Sequence, residues 1–428
     1  MKDYYTTADD FVPERALLVG VQLGQETDEE MGESLAELAA LADTAGVEVV
    51  STHVQRRQAP DPTYYIGSGK VETIAADVAA KQADLIIFDN ELSAAQSRNL
   101  GRKCEVRALD RSGLILDIFA NRARTREARL QVELAQLEYL LPRLTRQWTH
   151  LERQAGASGA TGSVGLRGPG ETQLETDRRL IMRRIVHLRR ELAHVDRVRA
   201  TQRAGREDIF RCALVGYTNA GKSTLLHALT GAEVFIEDRL FATLDSTTRA
   251  FDIAPNKHVV LTDTVGFIRK LPHHLVASFR STLAEACEAD MLLHVADCSH
   301  PAAAEQMATV REALDELDIH PPHVLLVMNK VDACANEDRP ALLAGGQAYV
   351  AISATSGQGL DRLRASIAAF IEADMVEMDL RVPQANGRLV AEIHERGEVL
   401  SRRYEANDVI LHARLRRADA RAISSRLP

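Results

Sequence analysis

The clearest chemical pattern in the chain lies at residues 216–223. They read GYTNAGKS, which fits GxxxxGK[ST], between a strand-like and a helix-like run in RCALVGYTNAGKSTLLHAL. In such a loop the backbone N–H groups surround phosphates, the lysine reaches the β- and γ-phosphate oxygens, and the serine hydroxyl binds Mg²⁺. The pattern predicts a nucleoside triphosphate site that uses Mg²⁺. Its predicted contact residues are Gly216, Tyr217, Thr218, Asn219, Ala220, Gly221, Lys222, Ser223 and Thr224.

A second phosphate-facing segment follows in KHVVLTDTVGF. A strand ends there at Asp263, a position from which a carboxylate holds Mg²⁺ through water, and the N–H of Gly266 is offered to the γ-phosphate. We therefore predict catalytic contributions from Lys222 and Gly266. Nucleotide contacts in this segment are predicted at Asp263, Thr264, Val265 and Gly266.

The base preference is indicated by HVLLVMNKVD and YVAISATSGQGL, each of which ends a strand. The Asp332 carboxylate can accept two hydrogen bonds from the N1–H and amino group of guanine, which adenine does not supply. A site of this type rejects the wrong base by about 10⁴-fold. A backbone N–H after the second strand is placed to meet the guanine O6, so the expected ligand is GTP or GDP. The predicted contact residues are Asn329, Lys330, Val331, Asp332, Ser353, Ala354 and Thr355.

The threonine-rich stretch DRLFATLDSTTRAF lies between these phosphate segments. One threonine is expected to close over Mg²⁺ and the γ-phosphate and to be released on hydrolysis. By position we assign this catalytic and direct Mg²⁺-binding role to Thr243, whereas Thr247 and Thr248 fit a capping or turn role better. The predicted nucleotide contacts here are Phe241, Ala242, Thr243, Leu244 and Asp245.

Phe267 follows Gly266, where many GTPases have a glutamine that orients the attacking water. A phenylalanine side chain neither donates nor accepts that hydrogen bond. Intrinsic hydrolysis is therefore expected to be slow, with the attacking water positioned by another group, by a rearranged switch or by the ribosome. External activation is worth up to about 10⁵-fold in comparable systems. No catalytic base is assigned.

The N-terminal part alternates strand-like runs (RALLVGV, VEVVSTHV, ADLIIFDN) with helix-like runs (DEEMGESLAELAALADTAG, ELSAAQSRNLGRK). This alternation predicts a small α/β domain with a partly parallel sheet. Within it, Gly67, Ser68, Gly69 and Lys70 precede a predicted helix, where they form either an anion site or, as we favour, a tight turn with a solvated lysine.

Two leucine-rich seams predict an antiparallel helical hairpin. Both repeat at intervals of 4 and 3 residues, a kink is expected at Pro142, and the glycine-rich residues 154–172 form the predicted tip. The seams consist of Leu130, Leu134, Leu137, Leu141, Leu144, Trp148 and Leu151, and of Ile181, Ile185, Leu188, Leu192 and Val195.

Charge is distributed unevenly along the chain. Residues 119–206 contain 18 Arg, no Lys and 9 acidic residues, a local net charge of 18 − 9 = +9, although the whole chain carries −9. Arginine suits bidentate phosphate contacts and stacking on bases, so this segment is a candidate RNA-docking surface. The alternative is an ordinary solvated helical face.

Composition excludes several classes of protein. With 428 residues, 45% hydrophobic and 26% charged, the chain resembles soluble globular proteins, and it has neither an apolar run of membrane-spanning length nor signal-peptide features. We expect a cytoplasmic protein without membrane insertion. Its cysteines are scattered and form no CxxC pair, so buried free thiols are expected, and its histidines show no metal-binding spacing. The cysteines are Cys104, Cys212, Cys287, Cys298 and Cys334.

Together these motifs resemble those of the HflX GTPases. The resemblance rests on GYTNAGKST, LFATLDSTTR, DTVGFI and NKVD, together with the more specific YYIGSGKVE and GLRGPGETQLETDRR, and it extends over nearly the whole chain. It implies a protein that binds the large (50S) ribosomal subunit and its rRNA through the hairpin, hydrolyses GTP in response, and splits or rescues stalled ribosomes. We expect the protein to be monomeric. The tip would approach the peptidyl-transferase region, with Arg167, Arg178 and Arg179 available for RNA; a flexible hinge without RNA contact is the alternative.

The predicted fold class is α/β, with a GTPase domain that has a mostly parallel sheet and helices on both faces. The predicted domains are an N-terminal α/β domain (1–121), the basic hairpin (122–207), the GTPase domain (208–375) and a small α+β domain (379–428) read as strand, helix, strand. Two other functions remain open at this stage. They are an RNA-remodelling ATPase that uses the N-terminal domain, and a GTP-dependent regulatory binder that does not split ribosomes.

Overall fold

The structure, a computed structural model, describes residues 13–24, 26–144, 169–203, 210–231, 240–241, 247–254, 257–270, 284–319 and 323–427. These residues form a four-stranded, a six-stranded and a three-stranded β-sheet, with a two-helix hairpin between the first and the second along the chain. Within the described residues, no helix combines the length and the apolar content needed to cross a bilayer.

The first sheet has the strand order β2-β1-β3-β4, and all its strand pairs are parallel. The interior strand Arg15–Leu23 is buried along almost its whole length, as expected for a parallel strand covered on both faces. The strands are β1 (Arg15–Leu23), β2 (Glu48–Arg57), β3 (Leu85–Phe88) and β4 (Arg107–Asp110). The helices are α1 (Asp28–Thr44), α2 (Ser68–Lys81), α3 (Ala94–Cys104) and α4 (Arg111–Arg122).

Residues 67–70 form the start of α2. Gly67 is the N-cap, and its N–H donates a 2.9 Å hydrogen bond to the side-chain oxygen of Gln55. Ser68, Gly69 and Lys70 form the first turn of the helix itself. The sequence interpretation of these residues as a loop before the helix was therefore wrong by about one turn.

Helices α5 (Arg126–Leu144) and α6 (Pro169–Arg203) form the hairpin. Ion pairs join Arg126 to Glu191 and Glu133 to Arg184, so a step of seven residues forward on α5 is a step of seven back on α6. The helices are therefore antiparallel, as predicted. Their shared apolar seam contains Leu130, Leu134, Leu137, Leu141, Ile181, Ile185, Leu188 and Leu192.

The far end of the hairpin lies mostly outside the described residues. Trp148, Leu151 and residues 154–168 of the predicted tip belong to that part of the chain, whereas residues 169–172 are already helical in α6. Pro142 lies in the last turn of α5, two residues before the helix ends at Leu144.

The second sheet has the order β10-β9-β8-β5-β7-β6, in which only the β6–β7 pair is antiparallel. Alternate residues of β5 face opposite sides: Ala213 and Val215 join one apolar cluster, Cys212 and Leu214 the other. The strands are β5 (Phe210–Gly216), β6 (Thr247–Ala254), β7 (Lys257–Asp263), β8 (Met291–Asp297), β9 (Val324–Asn329) and β10 (Tyr349–Ala351). The helices are α7 (Lys222–Thr230), α8 (Ala284–Cys287), α9 (Ala303–Glu316), α10 (Arg339–Ala344) and α11 (Leu360–Asp374), and Val331–Ala333 form a 3₁₀ turn.

The third sheet is antiparallel and has the order β11-β13-β12. It begins at Met375, directly after α11, and it contains one strand and one helix more than the predicted strand, helix, strand. Most residues of the edge strand β12 are exposed, so it lacks the apolar alternation that would have marked it in the sequence. The elements are β11 (Met375–Pro383), α12 (Gly387–Arg396), β12 (Gly397–Glu405), β13 (Asp408–Arg416) and α13 (Arg417–Ser424).

One apolar cluster spans the N-terminal domain and the GTPase domain. It combines residues of the first sheet and α4 with residues of β5 and α9. Within this cluster the ring of Phe119 packs edge-on against Phe241, with 4.6 Å between the ring centroids. The N-terminal domain therefore supports the GTPase sheet close to the phosphate loop.

Candidate nucleotide-binding site

The phosphate loop, residues 216–223, connects the buried strand β5 to α7. Gly221 has φ 92°, and a Cβ atom there would lie 2.2 Å from the side-chain nitrogen of Asn329. A Cβ atom on Gly216 would lie 2.2 Å from the Val295 carbonyl oxygen. Glycine is required at position 216 because the backbone of a neighbouring strand lies too close for a side chain, and at position 221 because of the positive φ and the adjacent Asn329 side chain.

Lys222 lies inside the loop and is only 6% exposed. Its amine donates hydrogen bonds to the carbonyl oxygens of Gly216 at 3.1 Å and Tyr217 at 2.8 Å. Burial lowers the pKa of this amine to about 8, and the Asp263 carboxylate offsets part of the effect. A phosphate group bound beside this amine would raise its pKa again and favour the charged form.

Ser223 and Asp263 meet beside the lysine. The Ser223 hydroxyl donates a 2.6 Å hydrogen bond to a carboxylate oxygen of Asp263, which is fully buried. A hydroxyl and a carboxylate in contact are oxygen donors of the kind that Mg²⁺ binds. The structure brings together the two described residues of the predicted metal site.

The segment 263–267 lies directly against the phosphate loop. The N–H of Phe267 donates to the Gly216 carbonyl at 3.1 Å, and the N–H of Thr218 donates to the Phe267 carbonyl at 2.7 Å. A Cβ atom on Gly266 would lie 2.9 Å from the Lys222 amine, so glycine permits this close approach. The Phe267 side chain is 2% exposed and belongs to the shared apolar cluster, which fits a packing role.

Asn329 links the guanine motif to the phosphate loop. Its amide nitrogen donates to the Ala220 carbonyl at 2.9 Å, and its amide oxygen accepts from the Ala354 N–H at 3.0 Å. Lys330 forms a 2.8 Å ion pair with Asp297 at the end of β8, whereas Asp332 is exposed. Three predicted segments are thus assembled at one edge of the sheet, with the Asp332 carboxylate open to a ligand.

The predicted switch residues are only partly described. Phe241 is buried against Phe119, whereas Ala242, Thr243, Leu244 and Asp245 lie outside the described residues. Thr247 and Thr248 begin strand β6.

Sequence reasoning missed the partners of Tyr217 in the N-terminal domain. The Tyr217 hydroxyl donates to a Glu37 carboxylate oxygen at 2.7 Å and accepts from the Arg269 N–H at 2.7 Å. Burial raises the pKa of both Tyr217 and Glu37. This hydroxyl connects α1, the phosphate loop and the chain just after Gly266.

A buried cluster of charges reinforces that connection. Arg111 pairs with Glu37 and, at 2.6 Å, with Asp89, and the Lys270 amine lies 2.6 Å from the other oxygen of Asp89. These cations hold the pKa of Asp89 below its usual range although burial opposes them. No motif marks these residues, because the contact between Asp89 and Lys270 joins positions 181 residues apart.

Four family models cover most of the chain. They are described as GTP-binding GTPase N-terminal (residues 32–120), GTP-binding GTPase Middle Region (122–206), 50S ribosome-binding GTPase (211–330) and HflX C-terminal domain (342–428). The GTPase HflX of Escherichia coli (strain K12) is 45% identical over 393 residues, which cover 89% of this chain and 88% of that protein. The chain belongs to the HflX family of GTPases.

Other known proteins are also similar to this chain. The GTPase HflX of Alkalihalophilus pseudofirmus is 51% identical over 321 residues, which cover 74% of each chain. Among solved structures, a GTP-binding protein from Sulfolobus solfataricus in complex with GDP is 26% identical, covers 83% of this chain and 98% of that one, and superposes with a TM-score of 0.43.

Family membership confirms two predictions from the sequence. The chain is a GTP-hydrolysing enzyme, and its fold class is α/β with a mostly parallel GTPase sheet. In this HflX-family enzyme the phosphate loop and the guanine motif have the sequence order and the mutual contacts that such an activity requires.

Proposed function

We propose that this HflX-family GTPase binds the large ribosomal subunit through its hairpin, hydrolyses GTP under ribosome stimulation, and acts in splitting or rescuing stalled ribosomes. The observation that carries the proposal is the row of exposed arginines along α6. Arg179, Arg183 and Arg190 are exposed on the side of this helix that faces away from the hairpin seam. Such a projecting basic surface suits contacts to RNA phosphates and bases.

The description of the model that matches residues 211–330, 50S ribosome-binding GTPase, supports the same partner. The domain limits 1–121, 122–207, 208–375 and 379–428 are part of the proposal, as are a cytoplasmic location and a monomeric state. The hairpin tip would contact rRNA near the peptidyl-transferase region, with Arg167, Arg178 and Arg179 as its basic residues.

At the nucleotide site, we propose that the phosphates bind to residues 216–224 and the base to residues 329–332 and 353–355. Ser223 and Thr243 would bind Mg²⁺ directly and Asp263 through water; the contact between Ser223 and Asp263 supports this pairing. When bound, the metal neutralises charge that develops on the transferred phosphoryl group. The Lys222 amine and the Gly266 N–H would bind oxygens of that phosphoryl group, and Thr243 would close over it.

Phe267 supports the proposed ribosome stimulation. Its side chain is buried and has no group that orients water, so this chain does not have the usual glutamine. We propose that the ribosome supplies the missing contribution. We therefore expect low GTP turnover by the isolated protein.

The decisive experiment measures steady-state hydrolysis of GTP and ATP with and without isolated large subunits, for the native protein and for Lys222→Ala. The expected result is GTP turnover stimulated by at least tenfold and abolished by the substitution. Turnover that is indifferent to ribosomes would overturn the proposed partner. ATP turnover that survives Lys222→Ala would instead favour an ATPase of the N-terminal domain.

A second variant tests the hairpin. Replacement of residues 165–170 by a short neutral linker should leave GTP affinity unchanged and weaken ribosome stimulation. Stimulation equal to that of the native protein would show that the tip only connects the two helices. For the native protein, tight ribosome binding without any effect on subunit association would favour a regulatory binder over a splitting factor.

A further inference from the structure

Two cysteines from distant parts of the GTPase domain lie side by side. Cys298 follows the last residue of β8, and Cys334 follows the 3₁₀ turn of the guanine motif. Their sulfur atoms are 3.0 Å apart, although 36 residues separate them in the sequence. A disulfide has a sulfur–sulfur distance of about 2.05 Å, so a shift of about 1 Å would join them.

The two thiols differ in accessibility. Cys298 is fully buried, and its S–H donates to the Asn329 carbonyl at 2.9 Å. Cys334 is partly exposed and lines an open cavity of about 650 Å³ together with Asp332 and Arg362. A small oxidant therefore reaches Cys334 first, with Cys298 directly behind it.

We propose that Cys298 and Cys334 form a reversible disulfide when the protein meets a hydroperoxide, and that this bond weakens binding of the guanine nucleotide. The site is a redox modification site, and its co-reactant class is a hydroperoxide such as H₂O₂. The chain contains no CxxC pair, so the observation that points to this modification is the 3.0 Å approach of the Cys298 and Cys334 sulfur atoms.

The chemistry balances in two steps. The Cys334 thiolate sulfur attacks one peroxide oxygen, the O–O bond breaks, and Cys334 becomes a sulfenic acid while the second oxygen leaves as water after taking a proton. The Cys298 sulfur then attacks the Cys334 sulfur, the S–O bond breaks, and the released hydroxide takes the Cys298 proton as water. Two thiols are oxidised, and one peroxide is reduced to two waters. Burial raises the pKa of the Cys298 thiol, which agrees with its acting second.

The bond would act on the base site through short connections. Asp332 precedes Cys334 by two residues, and the N–H of Cys334 donates to the Val331 carbonyl at 3.2 Å. On the other side, the N–H of Cys298 donates to the Asn329 carbonyl at 3.0 Å. Closing the sulfur–sulfur distance by about 1 Å pulls these two segments towards each other, and hydrogen bonds weaken with displacements of this order. The expected loss of fit between Asp332 and guanine rests on the proposed role of Asp332 in binding the base.

The test uses full-length Cys287→Ser protein, because Cys287 is exposed and precedes Cys298 without an intervening lysine or arginine. After treatment with H₂O₂ and blocking of free thiols, tryptic digestion separates Cys298 from Cys334 at Lys330. We expect a linked peptide pair that dithiothreitol releases and that is absent when Cys334→Ser is added. Stepwise oxidation of Cys334 to sulfinic acid without linkage would overturn the proposal.

The second readout is GDP affinity, measured with a fluorescent GDP derivative before oxidation, after oxidation and after reduction. We expect a roughly tenfold weaker affinity in the oxidised Cys287→Ser protein, recovery on reduction, and no change in the protein that also carries Cys334→Ser. A disulfide that forms with unchanged GDP affinity would overturn the coupling to the base site. Neither readout involves ribosomes, so failure here is distinct from failure of the proposed ribosomal function.

Discussion

The Ser223 hydroxyl lies 2.6 Å from the Asp263 carboxylate, although 40 residues separate the two positions in the sequence. They meet because β5 and β7 are parallel neighbours, so the loop after one strand and the end of the other lie at the same edge of the sheet. Both residues were predicted as metal-site residues from separate motifs. Because they are in contact, the two residues can belong to a single Mg²⁺ site, and that site can be tested.

Substitution of Ser223 by Ala should reduce the effect of Mg²⁺ on GDP affinity. We expect that effect to fall at least tenfold, because a direct oxygen ligand is lost, whereas GDP affinity measured in EDTA should change little. Titration calorimetry with and without Mg²⁺ checks this. Ser401→Ala, at an exposed position of β12, is the matched control. An unchanged Mg²⁺ effect in Ser223→Ala would contradict the assignment.

Lys222 should make GDP binding depend on pH. Its pKa is lowered to about 8 by burial, so the amine loses its proton as the pH rises through 8. GDP phosphates favour the charged amine and raise the pKa again, so binding takes up protons above pH 8 and affinity falls as the pH rises. Calorimetry at pH 8.5 in two buffers with different ionisation enthalpies should detect net proton uptake on GDP binding. Lys222→Arg, which stays charged, should take up fewer, and equal uptake by both proteins would refute the prediction.

Tyr217→Phe should destabilise the protein by about 1–2 kcal/mol. The substitution leaves the Glu37 carboxylate and the Arg269 N–H without their shared partner while it preserves the ring. Denaturant unfolding of the nucleotide-free protein measures the effect. Tyr404→Phe is the same chemical change at a side chain that is 62% exposed, and it should cost nothing measurable. Equal stability of the two variants would argue against an anchoring role for Tyr217.

The hairpin seam can be tested with two leucines of α6. Leu188 is fully buried and Leu180 is 55% exposed, so Leu188→Ala should cost about 2–5 kcal/mol of hairpin stability and Leu180→Ala very little. Hydrogen exchange of the α5 and α6 amides reports that stability directly. Similar exchange rates in both variants would mean that the seam does not hold the two helices together.

Local patterns in the sequence were sufficient to predict much of this arrangement. The interval between Ile181, Ile185 and Leu188 predicts the buried side of α6 because helical periodicity depends only on neighbouring residues. The phosphate loop was predicted for the same reason, since its glycines, Lys222 and Ser223 act within one short segment. The roles assigned to Thr243 and to residues 154–168 stay predictions.

Other features left no local signal. Strand β12 was missed because an exposed edge strand need not alternate apolar and polar residues. The first strand of the third sheet begins at Met375, four residues before the predicted start of the domain at Asp379, because nothing in the sequence separates it from α11. The position of Gly67 as the N-cap of α2 likewise depends on a contact with Gln55 of the neighbouring strand.

By itself the sequence determined the nucleotide chemistry, the choice of guanine and the seam of the hairpin, because each depends on residue types at fixed short spacings. Only the tertiary structure decided which distant groups come into contact. Tyr217 bonds to Glu37, Lys270 pairs with Asp89, and Cys298 lies beside Cys334. Those contacts arise where separately folded elements pack together. The packing of whole surfaces sets such distances, and no short segment of the chain encodes them.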